Sequence, residues 1–220
     1  MLYTNTSCVI GTKRNAGFIL YKYIKRAIDF FFALVIGIIF IPFGLIIAVM
    51  IKANSKGSVF FKQDRVGKER KIFKIYKFRT MYADNNCMGQ AITSTDRITG
   101  VGKVLRKLSL DEMPQLINII KGEMSFIGPR PLLVEYVPRY TSFQMRRHEV
   151  LPGISGWAQV NGRNTMEWEE KFQYDVWYVD NISFLVDIKI LISTIEVLLA
   201  RKGVNNTAEN TMSLFTGSEK

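Results

Sequence analysis

Hydrophobic and polar residues are spread unevenly along the chain, and the unevenness predicts its elements. From Phe30 to Ile51 run 22 residues without a charge, which meets the length criterion for a membrane segment. Sixteen of them are Phe, Ile, Leu or Val, an insertion term of about 5 to 10 kcal/mol. A cleaved signal peptide fits poorly, because the run is too long, starts too deep in the chain and lacks an A-x-A site before the charges resume. Pro42 near its middle removes the amide that would bond the Ile38 carbonyl and bends the helix. Two legs of 12 and 9 residues are expected, about 18 and 13 Å long, each too short for a hydrocarbon core of about 30 Å. Lys22, Lys25 and Arg26 precede the run, and Lys52, Lys56, Lys62, Arg65, Lys68, Arg70 and Lys71 follow it. A re-entrant helix, entering and leaving by one leaflet, satisfies the positive-inside rule at both ends. A kinked spanning helix competes with it, since ordinary transmembrane helices tolerate proline.

After this segment the pattern changes to β-branched and aromatic alternation. Ser58 to Met81, with a turn signal at Val66-Gly67-Lys68, predicts a hairpin. Helical periodicity follows at Leu110 to Lys121, Val134 to Val150 and Trp168 to Val179. Phe184 to Ala200 is apolar except for Asp187, Lys189 and Glu196, charges too costly for a spanning helix, so an interfacial or core helix is expected. Asp84 to Gly102 is polar and glycine-punctuated and predicts a loop. Its Gly100-Val101-Gly102-Lys103 matches only half of a dinucleotide fingerprint. The organisation is α+β: a loosely ordered leader at 1–18, a basic flank and re-entrant membrane helix at 19–51, a catalytic domain at 52–203 and a polar, fraying tail at 204–220.

Composition sharpens this picture. The chain has 220 residues, a formal charge of +11 and 48% hydrophobic residues, with mean hydropathy +0.07. Such a charge implies an anionic partner, for which nucleic acid, phosphate-rich substrates and acidic lipids all qualify. Between Lys52 and Arg79, ten basic residues face only Asp64 and Glu69. That strip suits acidic lipid headgroups and substrate phosphates equally. Cys8 and Cys87 belong to no metal or redox motif, which fits idle thiols in a reducing compartment. His148 is the only histidine, so a zinc site of the HExxH kind and a Ser/His/Asp triad are poorly supported. The chemistry must lean on carboxylates.

Asp111 and Glu112 stand side by side in Ser109-Leu110-Asp111-Glu112-Met113-Pro114. Pro114 is accommodated without loss only in a first helical turn, which puts the pair at a helix start. Orphan amides there favour an ionised carboxylate and attract phosphate oxygens, although a plain capping role explains the same pair. Arg106 and Lys107 before it and Gly128-Pro129-Arg130-Pro131 after it supply cations. Two carboxylates near a pyrophosphate require neutralisation by guanidinium groups and a divalent metal, with Mg2+ the expected ion. No D-x-D occurs in the chain.

From about Tyr23 to Gly203 the chain resembles the bacterial sugar transferases of the monotopic phosphoglycosyl transferase family. The resemblance rests on five blocks in order: the proline-broken apolar segment, Lys74 to Met81, Ser109 to Leu116, Gly128 to Pro131, and Pro152 to Gly162. It implies that Asp111 attacks the β-phosphate of a UDP-sugar, releases UMP and becomes a phosphosugar ester, which a polyprenol (undecaprenyl) phosphate then takes up. By the same resemblance Glu112 is base or metal partner, and Asp111 and Glu112 hold magnesium. Arg106, Arg130, Lys77 and Arg79 bind substrate, Asp187 joins the site, and the Pro152 to Gly162 block either shapes the donor pocket or is a structural cluster of turns. Membrane lipids are expected partners and nucleic acid is not. The implied place is the cytoplasmic face of a bacterial inner membrane, at the first membrane step of polysaccharide or glycoconjugate assembly. Ile41 departs from the serine often found before the helix proline, and Leu151 from a common arginine.

Overall fold

A computed structural model describes residues 16–82, 97–162, 166–200 and 214–217, with side chains from residue 20 onward. It is mixed α and β, as expected. The first helix, α1 (Ala16–Asn54), runs through Pro42, so the two expected legs form one continuous element rather than two. Its start also takes residues 16–18 out of the expected leader, whose remainder lies outside the described residues. Along α1 only scattered positions are buried, Asp29, Ala33, Ile47 and Ile51. Phe31, Phe32, Ile38, Ile39, Phe43, Leu45 and Val49 are all exposed. In the most apolar 18-residue window of Leu20–Asn54, with mean hydropathy 3.0, only 11% of the residues are buried. The core helix of a water-soluble fold would be mostly covered. This surface is suited to lipid, and the chain is a membrane protein.

The expected hairpin is present. Strands β1 (Phe60–Val66) and β2 (Ile72–Phe78) pair antiparallel, with Asp64 opposite Lys74. One face of β2 buries Phe73 and Ile75 against Ala33 of α1 and Leu116, Ile119 and Met124. Farther along α1, Ile47 and Ile51 pack with Phe78 and Leu105. Helix α2 (Gly100–Lys107) is capped by the Thr99 side chain, which accepts from the Gly102 amide at 2.9 Å. The expected loop therefore ends at Thr99, and residues 84–96 of it lie outside the described residues. Gly102 is explained by packing rather than by a nucleotide fingerprint: a Cβ there would lie 2.1 Å from the Thr80 carbonyl oxygen.

The next segment begins with a 3-10 turn, Leu110–Gln115, that continues into α3 (Leu116–Lys121). Asn118 ties α3 to the hairpin. Its Oδ1 accepts from the Tyr76 amide at 3.1 Å, and its Nδ2 donates to the Lys74 carbonyl at 2.8 Å. A pair of three-residue parallel strands, β3 (Ser125–Ile127) and β4 (Gly153–Ser155), was not foreseen. The single helix expected over Val134 to Val150 is instead three short pieces: a 3-10 turn Val134–Arg139 containing Pro138, α4 (Ser142–Met145) and a 3-10 turn Arg146–Glu149. Pro138 has no amide to donate, and Thr141 with Gln144 forms a capping box that starts a new helix. Short α5 (Trp157–Asn161), then α6 (Trp168–Asn181) and α7 (Phe184–Ala200), complete the fold. The last two match the expected helices. α7 exposes Leu185, Leu191, Ile192, Ile195, Leu198 and Leu199, as an interfacial helix would.

Candidate active site

The hairpin and the 3-10 turn place the carboxylates. Ser109, at the N-terminal boundary of the turn, has φ +55° and ψ +19°, a left-handed conformation uncommon for a residue with a side chain. The turn that follows carries Asp111 and Glu112 in its first residues, with Pro114 inside it, where the sequence reading puts them. Because Asn118 fixes α3 along β2, Glu112 comes to lie against Lys77 of β2. Lys77 Nζ is 2.6 Å from Glu112 Oε1.

Arg130 reaches the same oxygen from the other side, with its Nη2 2.7 Å from Glu112 Oε1. Its position follows from close backbone crossings. The Gly128-Pro129-Arg130-Pro131 turn lies directly on β4, and a Cβ on Gly153 would fall 2.1 Å from the Gly128 nitrogen. One on Gly156 would fall 2.3 Å from the Gly128 carbonyl oxygen. Behind the turn, Arg147 donates to the Arg130 carbonyl at 2.7 Å while paired with Asp175 at 2.7 Å. Both side chains of that pair are almost fully buried. After the turn, the Val66 amide donates to the Leu132 carbonyl, which closes the segment against β1.

The two carboxylates are driven apart. Burial alone would raise Glu112, but the charges of Arg130 and Lys77 overcome it and hold the carboxyl down at about 2. For Asp111, burial and then the adjacent Glu112 charge raise the carboxyl, only partly offset by Lys77 and Arg106. Among the described residues no side chain donates a hydrogen bond to Asp111. Glu112 is thus a pinned anion with weak basicity, whereas Asp111 is the carboxylate left available to react. Arg106 extends from α2, with its Nε donating to Thr80 Oγ1 at 2.9 Å.

Beside these groups opens a cleft of about 220 Å³ lined by Arg65, Lys77, Gln115, Arg130, Tyr136, Trp168 and Lys171, among others. Four cations facing one cleft suit a diphosphate, and the aromatic residues suit a flat base or sugar. Arg65, Tyr136, Trp168 and Lys171 escaped sequence reasoning as site residues. Arg65 belonged to a basic strip with nothing to single it out, and the other three come from elements far along the chain.

The structure unites Asp111, Glu112, Lys77, Arg106 and Arg130 but sets two expected binders apart. Arg79 donates to the Ser55 and Lys56 carbonyls at 2.8 and 2.6 Å, at the end of α1. Asp187 accepts from Tyr21, Lys25 and Tyr178 at 2.6 to 2.7 Å. Both residues anchor the membrane helix. The Pro152 to Gly162 block contributes nothing to the cleft lining; it supports the turn that carries Arg130, and Trp157 stacks on Trp177 at 4.8 Å.

For a metal, the described residues offer no group of three or more His, Cys, Asp or Glu side chains. Asp111 with Glu112 supplies two oxygen-donor side chains. Such a set fits Mg2+, which keeps several waters and commonly completes its shell with substrate phosphates.

Comparison with known proteins agrees with this architecture. A family model described as bacterial sugar transferase matches residues 20–201. The uncharacterized sugar transferase EpsL of Bacillus subtilis is 53% identical over 160 residues, covering 73% of this chain and 79% of that protein. A UDP-N-acetylgalactosamine-undecaprenyl-phosphate N-acetylgalactosaminephosphotransferase of Aeromonas hydrophila is 42% identical over 84% of this chain and 45% of its own length. A UDP-glucose:undecaprenyl-phosphate glucose-1-phosphate transferase of Escherichia coli is 40% identical over 79% of this chain and 40% of its own length. The chain thus spans less than half of these last two relatives. By the match across most of its length and the arrangement of its five motifs, the chain belongs to the bacterial sugar transferase family.

Proposed function

We propose that this protein transfers a phosphosugar from a UDP-sugar to undecaprenyl phosphate through a covalent intermediate on Asp111. A carboxylate oxygen of Asp111 attacks the β-phosphorus. A new P–O bond forms as the bond from that phosphorus to the bridging oxygen breaks, and UMP leaves with the electron pair. The phosphate oxygen of the lipid then attacks the same phosphorus, forming the lipid diphosphosugar and freeing Asp111. The observation that carries this reading is the divergence of the two carboxylates: Glu112 is pinned by Lys77 and Arg130, while Asp111 has no side-chain donor.

The pinned Glu112 is too weak a base to accept a proton near neutral pH, and attack by the ionised form of Asp111 requires no base. Glu112 instead fixes Lys77 and Arg130 at the mouth of the cleft, where their charges meet the donor diphosphate. Asp111 and Glu112 would hold Mg2+, which when bound neutralises phosphate charge in the transition state.

The acceptor reading is supported by the lipid-suited surface of α1. Both flanks of its apolar run dock on the same domain. Lys25 pairs with Asp187, and Arg26 donates to the Ile119 and Ile120 carbonyls. At the other end Arg79 holds Ser55 and Lys56. The docking of both ends on one domain supports entry and exit by one leaflet, and the basic flanks support the cytoplasmic side of the inner membrane for that domain.

The decisive assay identifies the nucleotide product. Purified protein with Mg2+ and UDP-N-acetylgalactosamine or UDP-glucose is expected to release UMP, and Asp111→Asn to release at least a thousandfold less. Release of UDP would indicate direct glycosyl transfer, and equal release by the variant would remove Asp111 from the mechanism.

A further inference from the structure

The polar composition of residues 204–220 predicts a fraying tail, yet Leu214–Gly217 lie against the body of the protein. Phe215 is 2% exposed, while Leu214 beside it is 72% exposed. The Phe215 ring lies 5.2 to 5.8 Å, centroid to centroid, from those of Phe172, Trp168, Tyr136 and Tyr140. Arg139 also donates a hydrogen bond to the Phe215 carbonyl. Backbone and ring are therefore both held. Indiscriminate collapse of a tail would cover the leucine as readily as the phenylalanine, so the contact is a specific insertion.

Two rings that receive Phe215 have a second role. Tyr136 and Trp168 line the cleft beside Glu112, and Lys171 places its Nζ 4.8 Å from the Trp168 ring centre. Phe215 is not part of the cleft lining; it stands behind that wall. We propose that the C-terminal segment is a positioning peg for the donor cleft. Phe215 packs behind Tyr136 and Trp168 and holds them, with Lys171, in the arrangement that receives the nucleotide. The inference rests on the reading of this cleft as the donor site. Without the peg, both rings regain rotamer freedom that nucleotide binding must remove again, which weakens affinity on the order of tenfold.

Reciprocity follows: a peg that favours bound nucleotide must itself be held more firmly when nucleotide is bound.

The test uses the full chain in detergent, with UDP as probe. Phe215→Ala is expected to weaken UDP binding about tenfold by calorimetry, Phe215→Leu to recover most of the loss, and Leu214→Ala to match the unaltered protein. A lowered melting temperature with unchanged UDP affinity would show a purely structural contact and overturn the proposal. In the unaltered protein, saturating UDP is expected to slow carboxypeptidase trimming past Phe215. That measurement decides the matter even if Phe215→Ala does not fold, because unchanged trimming also overturns the proposal. Trp168→Ala and Lys171→Ala separate the two levels of the argument. If they weaken UDP binding while Phe215→Ala does not, the peg alone falls; if they leave binding unchanged, the cleft reading falls with it.

Discussion

Glu112 holds two cations at hydrogen-bond distance through one oxygen, and this explains why adjacent, chemically similar residues do different work. In the proposed diphosphate role, Arg130 offers a planar fork of donors as well as its charge. Arg130→Lys keeps the charge but loses the planar pair of donors. It is expected to lower kcat/KM by ten- to a hundredfold with little change in melting temperature, and an unchanged kcat/KM would show that Arg130 serves the fold alone. His148 is a separate case, a structural residue with a pH signature. Burial, and then the charge of Arg147, lower its imidazole to about 4; Nδ1 lies 3.2 Å from the Gly67 carbonyl oxygen. The folded state prefers the neutral ring, whereas the unfolded chain takes up a proton near pH 6.5. The associated stability is therefore complete above pH 6.5 and is lost as pH falls toward 4, in all about 3 kcal/mol. Thermal unfolding of His148→Gln should show a flatter pH dependence across that window, and an unaltered slope would contradict the assignment. The acid window of Glu112 lies lower, between 4.5 and about 2.

The elements differ in how far local sequence determines them. α6, α7 and the hairpin follow from periodicity, because each carries its own apolar face over seven or more residues. β3 and β4 could not be found that way: three residues hold no period, and the two strands exist only by pairing across 25 intervening residues. The single helix expected over Val134 to Val150 failed at Pro138 and Thr141, whose local preferences outweigh a loose apolar spacing. Pro42 shows the opposite outcome, since its missing amide leaves α1 helical. In the proposed topology its two basic flanks lie on one side of the membrane. Single cysteines placed at Lys22 and Lys56 are expected to react with an impermeant maleimide from the same face of intact membranes, and labelling from opposite faces would restore a spanning helix.

In the whole molecule, a lipid-suited helix and a phosphate-suited cleft belong to one folded unit, which is the arrangement a water-soluble donor and a lipid acceptor require. Much of the candidate site was legible in the sequence. Asp111, Glu112, Lys77, Arg106 and Arg130 lie in distinctive motifs, and the fold brings them together. Arg79 and Asp187 looked equally chemical but anchor α1, because the sequence shows a charge without its partner. The cleft wall and the C-terminal peg were not legible, since Tyr136, Trp168 and Phe215 meet only through the fold.

Covalent capture tests the account most directly. Enzyme treated with UDP-sugar and Mg2+ but no lipid acceptor is digested and analysed by mass spectrometry. A phosphosugar mass on Asp111, absent from Asp111→Asn, is predicted. If enzyme trapped at low temperature during active turnover carries no adduct on the peptide containing residue 111, transfer through Asp111 is contradicted.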